Sequence, residues 1–216
     1  EPFRSGLALV RLGDIDWNWQ VKPPQRVVVG KHGYIKKSGE FAIEAKFDLG
    51  KTFSEGLAAV NIGATNGGME GGGKWGYIDA GGKLVIPLQF DDAWSFHNGR
   101  AVVGLGAKIS QQCGGKWGMI DKSGKYVVEP EYDWIFNRPE EKYFRTRKGD
   151  RFGFISTEGN IIPPQFDATG TFQEGLAAVR RGDEWGFIDE QGKFAVVPRF
   201  SQCRGFSDGR AAVMVA

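Results

Sequence analysis

Histidine and cysteine are nearly absent, with two of each in 216 residues. His32 and His97 stand far apart, as do Cys113 and Cys203, so no ligand set has the spacing of a metal centre and none is expected. Two cysteines cannot build a disulfide framework; spacing alone leaves open whether they pair or stand as free thiols. Long apolar runs are also missing. Nothing approaches the roughly 20 residues needed to cross a bilayer as a helix, so no membrane span is expected. Nor is there an excess of one charge: 28 Lys and Arg against 26 Asp and Glu leave +2, too weak a footprint for a nucleic-acid reader. No window carries a helical apolar period, which puts expected helix content near nil. The chain opens at Glu1 without a charged-then-apolar leader, and a leader removed earlier would leave the same start, so the compartment stays open.

What the chain has in quantity is glycine, at 33 residues, with 13% aromatics. The run "GMEGGGKW" from Gly68 matches the G-x-x-x-x-G-K spacing of a phosphate-cradling loop. Trp75 stands where such a loop needs a hydroxyl for Mg²⁺, and strand-like "GYIDAGGKLVIP" follows instead of a helix. No nucleotide or other cofactor is expected there. Recurrence gives the phrase its meaning. It returns as "KHGYIKKSGEFAIEAKFD" from Lys31, "KWGYIDAGGKLVIPLQFD" from Lys74, "KWGMIDKSGKYVVEPEYD" from Lys116, "RFGFISTEGNIIPPQFD" from Arg151 and "EWGFIDEQGKFAVVPRFS" from Glu184. A second phrase follows most copies: "FSEGLAAV" from Phe53, "FHNGRAVV" from Phe96, "FQEGLAAV" from Phe172 and "FSDGRAAV" from Phe206. It also opens the chain as "FRSGLALV" from Phe3, an orphan strand over 3–10. The five repeats run over about 31–60, 74–103, 116–145, 151–179 and 184–213, read as a single array filling residues 1–216.

On these phrases, above all "KWG" at Lys74 and Lys116, the chain resembles the WG-repeat or KWG-repeat family over nearly its whole length. Members of that family are mainly bacterial, built from β-structure and regarded as interaction modules without established catalysis. The resemblance implies the same here. The chain departs from the pattern at His32 and Phe152, which replace tryptophan, and at "FNRPEEKYFR", which replaces the F-x-E-G phrase of the third copy.

Within "WGYID", alternation puts Trp75 and Tyr77 on one face and Ile78 on the other, so both faces are apolar and the strand is buried. The turns D-A-G-G, D-K-S-G and D-E-Q-G pair a capping Asp with a final Gly suited to positive φ. "KLVIP" and its equivalents supply the hairpin partner, which Pro87, Pro130, Pro163 and Pro198 are expected to terminate. Small residues in "GLAAV" let another layer approach closely. Each repeat thus reads as a three-stranded antiparallel β-meander in an all-β fold. Three strands cannot bury two apolar faces alone, so neighbouring repeats are expected to stack as an open spiral or solenoid, with a closed propeller-like ring as the alternative.

Residues that recur in step with the repeat are what stacking requires, so Trp75, Trp117 and Trp185 are assigned to the core, and Asp79, Asp121 and Asp189 to turns. No Ser, Cys, His or carboxylate constellation has triad or metal spacing, so no enzyme is expected. Function is sought where the repeats differ. Trp17 and Trp19, with Lys22 and Arg26, lie in an insertion that either caps the array or binds. Trp94 and Trp134 precede the third strand of two consecutive repeats and are expected to project from equivalent connectors, where Lys51 and Gly170 stand in other copies. Arg145, Arg147, Lys148 and Arg151 gather on one hairpin that is either a solvated edge or a contact for an acidic partner. The expected partner is a protein, with a glycan or cell-wall polymer stacked on exposed aromatics as the alternative.

Overall fold

The structure, a computed structural model, describes residues 3–13, 15–18, 25–28, 30–64, 72–106, 114–136 and 141–215, with backbone only for 15–18 and 25–28. The chain gathers into two compact units, Glu1–Pro130 and Glu131–Ala216. The first unit begins with β1 (Leu7–Leu12), a hairpin of β2 (Ile15–Asn18) and β3 (Gln25–Val28), then β4 (Lys31–Lys36) and β5 (Phe41–Phe47). Strands β1, β4 and β5 form the expected three-stranded meander. The second sheet has four strands, β6 (Leu49–Gly50), β7 (Ala58–Ala64), β8 (Gly72–Ile78) and β9 (Leu84–Phe90). So does the third, with β10 (Asp92–Ala93), β11 (Arg100–Leu105), β12 (Lys116–Asp121) and β13 (Tyr126–Tyr132). The added strand is the two-residue piece after each F-D or Y-D phrase. Each four-stranded sheet therefore takes its first two strands from one repeat and its last two from the next.

The second unit repeats this plan. Its sheets are β14 (Trp134–Phe136), β15 (Tyr143–Lys148), β16 (Arg151–Ser156) and β17 (Ile161–Phe166), then β18 (Ala168–Gln173), β19 (Leu176–Arg181), β20 (Glu184–Ile188) and β21 (Phe194–Phe200). A pair, β22 (Gln202–Cys203) with β23 (Val213–Met214), follows. The strands pair antiparallel, and the described residues contain no helix and no sheet closed into a barrel. Cys203 is a free thiol, while Cys113 lies outside the described residues.

The glycine of the W-G pair answers to backbone crowding. A Cβ on Gly76 would sit 2.5 Å from the Ile86 carbonyl oxygen and 2.8 Å from the Pro87 carbonyl carbon. The same approach recurs at Gly118, Gly153 and Gly186, each against the strand that follows its turn. Pairing shifts register at this point, between Trp75 and Tyr77, as a bulge does. The prolines, expected to end that strand, lie inside it: β9 runs through Pro87, β13 through Pro130, β17 through Pro163 and β21 through Pro198. Each is the last strand of its sheet, so the missing N–H faces no ladder partner and the strand continues. Turns form as expected, with Asp79 Oδ1 accepting the N–H groups of Gly81 at 2.9 Å and Lys83 at 3.0 Å, and Gly82 at φ +80°.

Stacking carries the core. In the first unit Trp75, Tyr77 and Phe90 of the second sheet pack on Ala101, Val103 and Ile120 of the third. The opposite face, through Ile78, Ala58 and Val60, meets Tyr34, Ile43 and Phe47 of the first sheet. Both faces of the W-G strand are thus buried, and the small residues of β7 and β11 admit the neighbouring layer. Trp75 and Trp117 are core residues; Trp185 is half-buried. The Phe that opens each second phrase lies edge-on to the aromatic two places after the tryptophan, as Tyr34 with Phe53 at 4.9 Å and Tyr77 with Phe96 at 4.8 Å. In the second unit Phe154 meets Phe172 at 4.8 Å and Phe187 meets Phe206 at 4.9 Å.

The acidic residue of the F-x-E-G phrase clasps one turn to the next. Glu55 and Glu174 both hold positive φ, and their carboxylates accept the N–H groups of Gly99 and Gly209, each at 2.9 Å. Lys122 joins Glu55 at 3.2 Å. Burial pushes the Glu55 carboxyl up, but the Gly99 N–H and Lys122 outweigh it and hold it below its ordinary value. At Asp48 burial is likewise outweighed, by Lys31 and by the N–H groups of Gly63 and Ala64. A depressed folded pKa gives stability that is present above the ordinary carboxylate range and lost as pH falls through it. Melting temperature is therefore expected to drop on acidification through about pH 4, with a shallower drop in Glu55→Gln. Equal slopes for parent and variant would remove Glu55 as a contributor.

Candidate functional site

In three of the five W-G phrases the basic residue that opens the phrase is held in an ion pair of the frame. Lys31 pairs with Asp48 at 2.5 Å, Lys74 with Asp91 at 2.6 Å, and Arg151 with Asp167. The other oxygen of each Asp accepts a turn N–H, from Gly63, Gly106 and Gly182, each at 2.7 Å. Lys74 is thus a strand residue of β8 held by a carboxylate, and a strand rather than a helix follows its turn. Gly68 lies outside the described residues.

Counting from that fixed Asp (Ser201 in the last copy), the residues one and three places later change in every copy: Leu49 and Lys51, Asp92 and Trp94, Trp134 and Phe136, Ala168 and Gly170, Gln202 and Arg204. They lie on or directly after the short strand that begins each sheet. A constant frame therefore presents variable chemistry along one set of strands. This count also separates the two tryptophans. Trp134 opens β14 opposite Arg147, the place that Asp92 holds opposite Gly104, whereas Trp94 follows β10. They do not occupy equivalent positions, because one lies a single place after its Asp and the other three places.

Neither indole is a bare projection. Lys51 places its ammonium 4.9 Å from the Trp94 ring centroid and 5.3 Å from that of Trp75. Asp92 is the nearby acid. Burial pushes the Lys51 amine down against the pull of Asp92, and pushes the Asp92 carboxyl up against Lys51 and the Ala93 N–H. Burial, then Asp92, raises the Tyr77 phenol well above its ordinary value, and its hydroxyl donates to the Trp94 carbonyl at 2.7 Å. Lys51 and Asp92 are half-buried charges of opposite sign beside the Trp94 and Trp75 rings, which the repeat phrases did not flag because each occurs once.

The second unit carries a different set. Arg145 lies with its guanidinium 4.8 Å from the Phe136 centroid and donates to the Thr169 carbonyl at 3.2 Å. Arg147 is half-buried, its Nε enclosed without a partner. Lys148 and Arg151 are occupied by Glu131 and Asp167, the first at 2.8 Å. The basic hairpin therefore separates into two frame cations and two without a carboxylate. Of the insertion, Trp17 lies in β2 opposite Arg26, with nothing described of its side chain, and Trp19 lies outside the described residues. The described residues hold no group of three or more His, Cys, Asp or Glu placed to bind a metal.

The sequence pattern described as WG containing repeat matches residues 33–64, 75–108, 117–151, 152–185 and 185–215. The chain belongs to the WG-repeat family. Each WG repeat so matched runs from the W-G strand to the end of the following small-residue strand, out of phase with the sheets. No curated protein matches this WG-repeat chain. Among solved structures it is similar to a protein of unknown function from Bacteroides caccae, at TM-score 0.31 and 13% identity over 88% of this chain and 72% of that one. It is also similar to AztD of Citrobacter koseri, at 0.38 and 10% over 88% and 66%, and to the calcium-binding protein regucalcin of Agrobacterium tumefaciens, at 0.32 and 14% over 81% and 69%. At such scores these likenesses carry no functional argument.

Proposed function

We propose that this WG-repeat array is a non-catalytic scaffold for a protein partner, contacted through the short strands and the residues directly after them. The carrying observation is the contrast between a frame of repeated ion pairs and the residues just beyond its Asp, which differ from copy to copy. Packing does not dictate those residues, so selection for a partner is free to set them. Catalysis finds little support in the same groups: the Lys51 ammonium lies against two indole rings, 4.9 and 5.3 Å from their centroids. A glycan module would need open aromatic faces, and Trp94 is covered by Lys51, which puts that reading second.

The test compares capture of proteins from a lysate of the source organism by the parent, by a Trp94→Ala, Trp134→Ala double variant and by Leu84→Ser, which alters an exposed residue of β9 on the far edge of its sheet. The double variant is expected to lose a partner that Leu84→Ser retains, with melting little changed. Undiminished capture by the double variant removes these two residues as the contact.

A further inference from the structure

We infer that the gap between the fourth and fifth sheets holds a carboxylate from an acidic segment of a partner, bound by Arg145 and Arg147. The argument begins with two matching rows. In the second sheet the row reads Lys51, Ala59 and Tyr77; in the fourth it reads Phe136, Arg145 and Phe154. Both carry one cation and an aromatic at the W-G strand, but the cation has moved from the short strand to its neighbour. In the first unit that cation has an acid and a cover, Asp92 and Trp94. The corresponding places in the fifth sheet are Ala168 and Gly170, since Ala168 stands opposite Arg180 as Asp92 stands opposite Gly104. Acid and cover are both gone. A Cβ on Gly170 would meet only Ala178, at no less than 3.5 Å.

The charge, by contrast, has doubled. Arg147 lies two places beyond Arg145 on the same face, about 7 Å along the strand. Its Nε is buried without a partner. Thr169 is only 9% exposed, and its Oγ1 also lacks a partner. Thr169 stands opposite Val179, which packs with Phe154 and Phe166 of the fourth sheet, so its side chain is on the face turned to the gap. The Arg145 bond to the Thr169 carbonyl places the guanidinium beside it. Glu131 is paired with Lys148 and Asp167 with Arg151, and an Asp133 oxygen accepts the Gly149 N–H at 2.6 Å. Among the described residues neither guanidinium has a carboxylate partner; two such neighbouring groups repel one another, and their planar forks match a carboxylate's two oxygens. Half-buried Phe136 and Trp134 alongside give an extended segment apolar cover, which favours a peptide over a free anion.

This deepens the scaffold reading by naming the chemistry of one contact, and it is tested without the native partner. The arginine Nε–H signals of the full chain are followed by NMR as a short polyglutamate peptide, and separately inorganic phosphate, is added at low salt. The Arg147 signal is expected to shift and saturate with the peptide. Arg147→Gln is expected to weaken binding, followed through the Arg145 signal, about tenfold, the scale of one charge-assisted hydrogen bond. Lys148→Gln, which touches only the pair with Glu131, should leave it unchanged. No saturable shift, binding by the Arg145 signal undiminished in an Arg147→Gln variant that melts like the parent, or saturation with phosphate alone would each overturn the assignment. A negative titration leaves the capture experiment to judge the scaffold reading separately.

Discussion

Gly76→Ala is expected to lower stability by more than about 3 kcal/mol, near the top of the overpacking range. The added methyl would lie 2.5 Å from the Ile86 oxygen and 2.8 Å from the Pro87 carbonyl carbon. Those atoms are backbone, so relief requires β8 and β9 to separate, and the strands cannot part without loosening Tyr77 and Phe90 from the third sheet. Two other glycines calibrate the effect. Gly39 has φ +87° with nothing within 4 Å of a new Cβ, so Gly39→Ala meets only the left-handed backbone penalty, about 1 kcal/mol. Gly81 has no positive φ, and its Cβ would meet the Asp79 side chain at 3.3 Å; its substitution should be the mildest. Thermal melts of the three variants check the order, and a Gly76→Ala protein that melts like Gly39→Ala would show that the close strand approach is not required.

The second large effect is expected at Phe96, where truncation to Ala should remove about 3–5 kcal/mol. Phe96 is fully buried, edge-on to Tyr77, and its carbonyl accepts the Ser54 hydroxyl at 2.6 Å. Its ring belongs to the phrase that leads into the third sheet yet fills the second, so the loss falls on the contact between sheets. With stability of a domain commonly about 5–15 kcal/mol, a loss of this size leaves little margin. Leu84→Ala, at a residue 43% exposed on the outer strand, is the comparison and should cost well under 1 kcal/mol. Chemical denaturation of both variants decides the matter; similar midpoints would mean that the sheets hold without this ring.

Much of this architecture was legible because repetition exposes it. The W-G strands, the Asp turns, the small-residue strands and the burial of both faces follow from alternation and from five copies in step. The short strands were not legible, since two residues have no period. The prolines were misjudged for a related reason: whether a missing N–H ends a strand depends on what lies on its outer side, which only pairing reveals. The turn glutamates bond to glycines 44 and 35 residues away, a nonlocal role that composition does not show. Lys51 and Asp92 were passed over because each occurs in one copy. Trp94 and Trp134 could have been told apart by counting from Asp91 and Asp133, the residues that set the local register.

The offset between repeat and sheet has a consequence for how such a gene can change length. Each four-stranded sheet is sewn from the tail of one copy and the head of the next, and the seam follows one strand order throughout. Unequal recombination that inserts or removes a whole copy therefore joins a matching tail to a matching head, and a complete sheet forms at the new junction. A protein whose repeats coincided with its sheets would need a fresh interface at each such event; here the junction is hydrogen-bonded by construction, which makes array length one of the most freely varied properties of the molecule.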